Sequence, residues 1–90
     1  MQNMNNRWIV IFRALANINR LKIIQMLSDG RKMSVTDISV DLKISLKATS
    51  NHLAILRSLD VLEAQGTRGH VLYSVNSNMS KDFRTAIDLM

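Results

Sequence analysis

The sequence contains no cysteine, which excludes disulfide bonds, thiol redox sensing and thiolate metal sites. That absence fits a reducing compartment, and we expect a cytoplasmic protein. No apolar run approaches the ~18 residues of a membrane-spanning helix, and the opening residues lack the pattern of a signal peptide. Proline is also absent, and glycine occurs only three times. Because no linker composition interrupts the chain, we expect residues 1–90 to form a single domain.

Apolar residues, by contrast, are abundant. They make up 47% of the 90 residues, and a chain of this length buries only about 60% of its unfolded surface. We therefore expect a homodimer or a larger partner to cover part of the apolar surface. The formal charge is +5, and a small basic domain favours a polyanionic partner such as nucleic acid.

The segment from Ile44 to Leu62 carries the most informative pattern. It opens with Ser45, a residue type that caps helix N-termini. The residues that follow separate at helical spacing into two faces. The inner face holds Thr49, His52, Leu53, Leu56 and Leu59, and the outer face holds Lys47, Ser50, Asn51, Ala54 and Ser58. A small, polar outer face lets a helix approach another surface closely, so the pattern predicts a recognition helix for the DNA major groove.

The rest of the chain predicts a mainly α fold with a small β-hairpin. Helices are predicted over 6–16, 18–29, 35–42 and 79–90, with Asn17 and Ser34 as N-caps and Gly30 as a left-handed C-cap. Residues 33–35 could form a short strand, and residues 1–5 are expected to fray. Asp60 is the expected left-handed exit residue of the recognition helix.

Residues 35–59 then read as a helix-turn-helix. Two runs, 61–67 and 70–75, form a predicted wing over 61–75, with Gly66 and Gly69 available for its turn and Arg68 near its tip. This order of elements is a winged helix-turn-helix. Arg68 could reach a phosphate or a narrow minor groove, or it could be a solvated turn residue.

The first predicted helix carries apolar residues on more than one face, and the last carries one apolar stripe suited to pairing with a partner helix. We expect the helices over about 6–16 and 79–90 to form a dimer interface, although core packing would also explain part of their pattern. The predicted interface residues are Trp8, Ile9, Phe12, Phe83, Ile87 and Met90.

Four segments resemble the arsenic-repressor (ArsR-type) family of transcriptional regulators. ALANINRLKIIQML is similar to that family's opening segment, and SVTDISVDLKIS resembles its first motif helix. TSNHLAILRSLDVL is very close to its recognition-helix signature, xSxHLxxLRxxGLV, and GTRGHVLYSVN is similar to its wing. The likeness covers roughly residues 8–76. It implies a dimeric winged helix-turn-helix repressor that binds a palindromic operator on double-stranded DNA.

The outer face and the wing supply the candidate DNA contacts. Lys47, Ala48, Ser50 and Asn51 are expected to face bases or phosphates. Positioning on the DNA backbone is expected from Lys43, Ser45, Arg57 and Arg68, with His70 as an exposed or phosphate-contacting residue of the wing. Leu46 also lies on this surface, but it stands where the family often has Gln. The family's usual Pro and Gly are likewise replaced by Ile18 and Asp60.

Neither of two metal sites known in this family has its ligands here. Its CxCxxC motif corresponds to Ser34, Thr36 and Ser39, whose hydroxyls are poor ligands for soft metals. The last helix has Asp82 and Asp88 but no histidine, and His52 reads as a packing residue. We therefore expect no metal and no cofactor, and the resemblance specifies no inducer.

Two other classes of function remain as alternatives. A winged-helix module that binds a protein, with an idle recognition surface, would fit the modest charge and the apolar Leu46. RNA binding is weaker, because no aromatic stacking face is present. An enzyme is not expected, since no nucleophile–base pair, paired-carboxylate site or glycine-rich phosphate loop occurs.

Overall fold

The computed structural model describes residues 6–90, which form five helices and a two-stranded antiparallel hairpin. The helices are α1 (Asn6–Leu15), α2 (Ile18–Leu27), α3 (Val35–Leu42), α4 (Leu46–Ser58) and α5 (Lys81–Asp88), and the strands are β1 (Leu62–Thr67) and β2 (His70–Val75). The predicted mainly α architecture with a wing is confirmed. Residues 1–5, expected to fray, lie outside the described residues.

The predicted N-caps are present, while several predicted helix ends extend too far. The Asn17 side chain accepts from the backbone N–H groups of Asn19 and Arg20, and Ser34 Oγ accepts from Asp37 N. However, α2 ends at Leu27 rather than at residue 29, and α5 begins at Lys81 rather than at residue 79. Ser28 and Asp29 after α2 are exposed polar residues, and Met79 before α5 is buried without being helical, so the sequence pattern overestimates both helices.

Both helices of the helix-turn-helix end in the same hydrogen-bonded motif. After α3, Lys43 adopts a left-handed φ of 59°, and the N–H groups of Lys43 and Ile44 donate to the carbonyls of Val40 and Ser39. This pairing of the last carbonyls is a Schellman motif, which usually has Gly at the left-handed position. It fixes the tight turn between α3 and α4.

After α4 the same motif recurs with Asp60, whose φ is 60°. The N–H groups of Asp60 and Val61 donate to the carbonyls of Arg57 and Leu56. The prediction of a left-handed Asp60 is confirmed, and the reversal directs the chain from α4 straight into β1.

The hairpin pairs Leu62 with Val75 at its base and Thr67 with His70 at its tip. The predicted strand over 33–35 is reduced to one residue, since only Met33 pairs with Tyr73, through N···O distances of 3.0 and 2.8 Å. The strand cannot extend further because α3 begins at Val35. The single bridge anchors the α2–α3 connection to the wing.

One apolar core joins all five helices and the base of the wing. Its buried members are Ile11, Ala14, Ile23, Ile24, Leu27, Ile38, Leu53, Leu56, Val61, Leu62, Met79 and Phe83. Burial of such side chains contributes about 1.5–3 kcal/mol each. The core thereby holds α4 by its inner face and leaves the outer face to solvent.

Candidate nucleic-acid interface

The two faces of α4 separate as the sequence predicts. Thr49, Leu53 and Leu56 are completely buried, and the Thr49 hydroxyl donates to the Ser45 carbonyl at 2.8 Å, so its burial leaves no unpaired donor. His52 and Leu59 are half-buried. The outer residues Lys47, Ser50, Asn51, Ala54 and Ser58 are all exposed. The outer face is therefore mostly polar with small side chains, while Leu46 and Ile55 are large apolar residues of α4 that are also exposed.

The N-terminal turn of α4 is fixed by its cap. Ser45 Oγ accepts a hydrogen bond from Ala48 N at 3.0 Å, which satisfies one of the unpaired N–H groups at the helix start. Ser45, Leu46 and Lys47 are exposed, and Ala48 is half-buried. The predicted base-facing and backbone-facing residues of this turn are thus on the surface together, at the helix end that meets base edges in such motifs.

Arg20 makes polar contacts with α1 and with the inner face of α4 that were not predicted from the sequence. Arg20 Nε donates to the Ala14 carbonyl at 2.6 Å and Arg20 Nη2 to the Arg13 carbonyl at 3.2 Å, which caps the last turn of α1. Arg20 Nη1 lies 3.3 Å from His52 Nδ1. Because a guanidinium only donates, Nδ1 must accept and the imidazole must be neutral. One side chain of α2 therefore links α1 to the recognition helix.

The environment of His52 opposes its protonation. Burial lowers the pKa of His52 below 6.5, and the positive charge of Arg20 lowers it further. The expectation that His52 is a packing residue agrees with this geometry. The sequence signal for the contact between Arg20 and His52 was the presence of the arginine in the opening segment and of the histidine in the recognition-helix signature.

The wing places one cation at its tip. Arg68 and Gly69 form a two-residue loop in which both φ angles are positive, 43° and 82°. Positive φ at both central residues is the mark of a type I′ turn, and Gly69 adopts it without steric cost. Arg68 and His70 are both exposed, so either side chain is free to approach DNA.

The base of the wing carries a second cation, Lys32, which was not among the predicted contacts. Its Nζ lies 3.3 Å from Gln65 Oε1 of β1. The adjacent Arg31 pairs instead with Asp29 at 3.3 Å. The adjacent Arg31 and Lys32, shortly before the Ser34 cap of α3, were the sequence signal for a cation at this place. Lys43 and Arg57, two other predicted backbone contacts, are exposed after α3 and in the last turns of α4.

Half of the predicted dimer residues lie on α1, where Ile9 and Phe12 are exposed and Trp8 is partly buried against the core. Phe12 is 62% exposed and stacks on Trp8 with ring centroids 5.7 Å apart, and Ile9 is also exposed. At the other end of the chain Met90 is exposed, whereas Ile87 is half-buried against the core.

Phe83 must be removed from the predicted interface. Its side chain is completely buried within the protomer, under the guanidinium of Arg7, which lies 5.2 Å from the ring centroid. Arg7 also pairs with Asp82 at 2.9 Å, and this hydrogen bond, together with one from Ser80, lowers the pKa of Asp82 to about 2. Phe83 and this pair attach α5 to α1 within one chain.

Hydroxyls at the positions of the family's cysteine motif have structural roles. Ser34 caps α3, and the buried Ser39 donates to the Thr36 carbonyl at 2.8 Å. Within residues 6–90, no group of three or more His, Asp or Glu side chains lies close enough together to hold a metal ion. In the same part of the chain, no helix is long and apolar enough to cross a membrane.

Comparison with known proteins agrees with this architecture. Residues 17–64 match the family model described as "Bacterial regulatory protein, arsR family". The chain is 33% identical to the transcriptional activator HlyU of Vibrio cholerae over 81 residues, which is 90% of this chain and 74% of HlyU. It is 32% identical over 79 residues to the transcriptional repressor SdpR of Bacillus subtilis, covering 88% of this chain and 82% of SdpR.

Solved structures show the same fold. HlyU from Vibrio cholerae superimposes with a TM-score of 0.79 at 31% identity, over 99% of this chain and 92% of that one. A homodimeric winged helix-turn-helix DNA-binding domain from Mycobacterium bovis gives a TM-score of 0.76 at 24% identity, covering 93% and 74% of the two chains. The family match spans the capped α2, the helix-turn-helix and the start of the wing. The chain belongs to the ArsR family of bacterial regulatory proteins and is a DNA-binding transcriptional regulator.

Proposed function

We propose that this regulator binds a palindromic operator as a homodimer and represses transcription by occupying it. The observation that carries the proposal is the outer face of α4, where Lys47, Ser50 and Asn51 are exposed. Thr49, Leu53 and Leu56 on the opposite face are completely buried. The core fixes which side of the helix faces outward. Repression needs only occupancy of the DNA, and one relative of this chain, SdpR, is a transcriptional repressor.

The exposed side of α1 supports the dimer. Phe12 and Ile9 lie in solvent in the protomer, and a second copy would remove them from water. A two-fold axis beside α1 would present two recognition helices to successive major grooves, ~34 Å apart, and the matching operator would have two inverted half-sites.

Each exposed side chain of α4 suits a definite partner on DNA. Asn51 suits adenine through paired hydrogen bonds, Lys47 suits guanine or a phosphate, and Ser50 suits either purine or pyrimidine edges. Lys47 and Asn51 lie one helical turn apart, so they reach neighbouring base steps. Arg68 at the wing tip and Lys43 at the helix-turn-helix turn hold the backbone without reading sequence.

Selection of bound DNA from a random library tests the proposal most directly. The expected product is an inverted repeat whose half-site centres are about 10 base pairs apart, or a multiple of one helical turn. Binding to that repeat is then measured by gel shift at two salt concentrations, with excess nonspecific competitor. A single unpaired half-site, or no enrichment at all, would contradict the dimeric operator model.

A module that binds another protein is the second candidate, and one observation favours it. Leu46 and Val40 are large apolar side chains, 52% and 68% exposed, on the two helices of the helix-turn-helix. Apolar surface of this kind also suits a protein partner. Absence of any retarded DNA band, at either salt concentration, would favour this candidate over the operator-binding dimer.

We also propose that metal ions do not regulate this protein. Cysteine is absent from the chain, and the hydroxyls of Ser34 and Ser39 are engaged with backbone groups. Of the carboxylates on α5, Asp82 is paired with Arg7. Isothermal titration with zinc tests this directly, since stoichiometric binding tighter than micromolar would overturn it.

A further inference from the structure

The first residue of α4 is a large aliphatic side chain that the protomer leaves half in water. Leu46 is 52% exposed, and within residues 6–90 it is not among the hydrophobic side chains packed against the core. Its neighbours Lys47 and Ser50 are exposed and polar. Leu46 is therefore an exposed apolar side chain next to exposed polar ones, and the stability of the core does not account for it.

Leu46 begins the helix proposed to face DNA, whereas the proposed dimer surface lies on α1. The main contacts of α4 are with α2, α3 and β1, whereas α1 packs on α2 and α5. Leu46 follows the Ser45 cap, whose hydrogen bond to Ala48 N holds the first turn in place. The N-terminal turn of a recognition helix is the part that meets base edges.

We propose that Leu46 reads the C5-methyl group of a thymine in each half-site, an inference that depends on the operator binding proposed above. The thymine methyl is the apolar group that base pairs display in the major groove. Leucine has no hydrogen-bonding group, so a donor or acceptor held against it would lose its water without gaining a partner. Leu46 therefore selects thymine and rejects cytosine at that position.

Replacing thymine by deoxyuridine tests the inference, because it removes only the methyl group. Each thymine of the selected half-site is replaced in turn, and the dissociation constant is measured by fluorescence anisotropy. Burial of one methyl-sized group predicts a loss of about fourfold in affinity per half-site at a single thymine. 5-Methylcytosine at that position is expected to bind more tightly than cytosine, because it restores the methyl group.

Protein variants assign the effect to this side chain. With Leu46→Ser, thymine and deoxyuridine are expected to bind equally at that position. Ile18→Ser is the matched control, because Ile18 is also an aliphatic first residue of a capped helix and is 63% exposed. This control is expected to keep the full loss on methyl removal.

The inference is overturned if wild-type binding is indifferent to every thymine methyl, or if Leu46→Ser keeps the same loss. If the proposed operator binding is itself wrong, the library yields no enriched sequence, and the inference about Leu46 is then wrong as well. Circular dichroism of both serine variants establishes that they are folded before their affinities are compared.

Discussion

Asn51 lies at the middle of the exposed face of α4, one turn beyond Lys47. Its amide offers a donor and an acceptor, the pair that adenine matches in the major groove. We expect Asn51→Ala to weaken operator binding by about 1–3 kcal/mol and to relax the base preference at one position of each half-site. Anisotropy titrations against the operator and its single-base variants measure both effects.

Ser58→Ala is the control for this experiment. Ser58 shares the exposed face but lies in the last turn of α4, and its hydroxyl already donates to the Ile55 carbonyl at 2.7 Å. We expect it to leave the base preference unchanged. If Asn51→Ala discriminates among operators as well as the wild type does, the assignment of this face to base reading is wrong.

His52 makes stability depend on pH. Burial and the charge of Arg20 lower the pKa of His52 in the folded state, so the unfolded chain binds the proton more tightly. The stability contributed by the neutral imidazole is complete above pH 6.5 and is lost as the pH falls below 6.5 toward the lowered folded value. Urea unfolding at a series of pH values is expected to show this decline.

Substitution identifies the group responsible. His52→Gln, which keeps a hydrogen-bond acceptor, is expected to flatten the pH profile between neutrality and the acid limb. His70→Gln changes the exposed histidine of the wing and should follow the wild type. The Asp82 carboxylate acts in a separate window, because its stabilising effect is lost only as the pH falls from 3.8 toward about 2. An unchanged slope in His52→Gln would contradict this account.

At the scale of the element, Lys43 in the turn between α3 and α4 is expected to favour DNA binding at a cost in stability. Lys43 holds a left-handed φ of 59°, which costs an L-residue roughly 1–2 kcal/mol. We expect Lys43→Gly to raise the free energy of unfolding by up to about 1 kcal/mol, since Gly adopts this φ freely but loses more chain entropy. The same change is expected to weaken DNA binding, because a cation beside the backbone is removed.

The second Schellman motif of the helix-turn-helix supplies the control. Asp60→Gly relieves a left-handed φ of 60° after α4, and it is expected to stabilise the fold without weakening DNA binding. Chemical denaturation and anisotropy together separate the two effects. A loss of affinity in Asp60→Gly equal to that in Lys43→Gly would show that turn geometry, and not the lysine charge, governs binding.

The wing tip provides a test of backbone contact that does not disturb the turn. Asn is favoured where φ is positive in a type I′ turn, so Arg68→Asn removes the cation and keeps the hairpin. We expect it to weaken binding to all DNA sequences alike and to reduce the slope of log affinity against log salt by about 1 per half-site. A change confined to the operator would instead indicate that Arg68 reads bases.

Sequence patterns predicted the elements because caps and turns are local. Asn17, Ser34, Ser45 and Asp60 each act within two to five residues of chain, so spacing alone locates them. Contacts between distant residues were missed, including the one from Arg20 to His52. Phe83 was misassigned for the same reason: its helical stripe did not distinguish burial under α1 from burial against a second chain.

At the scale of the whole molecule, two surfaces have to act together. The core and the Arg7–Asp82 pair hold α5 and α1 as one unit, while α4 and the wing form the other exposed surface. If the apolar side of α1 joins two chains, the spacing between the two recognition helices is set by that contact. Operator binding should then depend on dimerisation even though none of the residues proposed to contact DNA lies on α1.

Phe12→Gln tests this dependence. Phe12 is 62% exposed in the protomer, and burial of a Phe side chain contributes about 1.5–3 kcal/mol, counted twice in a symmetric dimer. Because only the exposed part of Phe12 remains to be buried, we expect the dimer dissociation constant to rise at least about tenfold, measured by analytical ultracentrifugation, and operator affinity to fall with it. Val40→Gln, at a side chain 68% exposed on α3, should leave the dimer intact. If Phe12→Gln stays dimeric while Val40→Gln dissociates, the two-fold axis lies beside α3, and the half-site spacing predicted from an axis beside α1 is wrong.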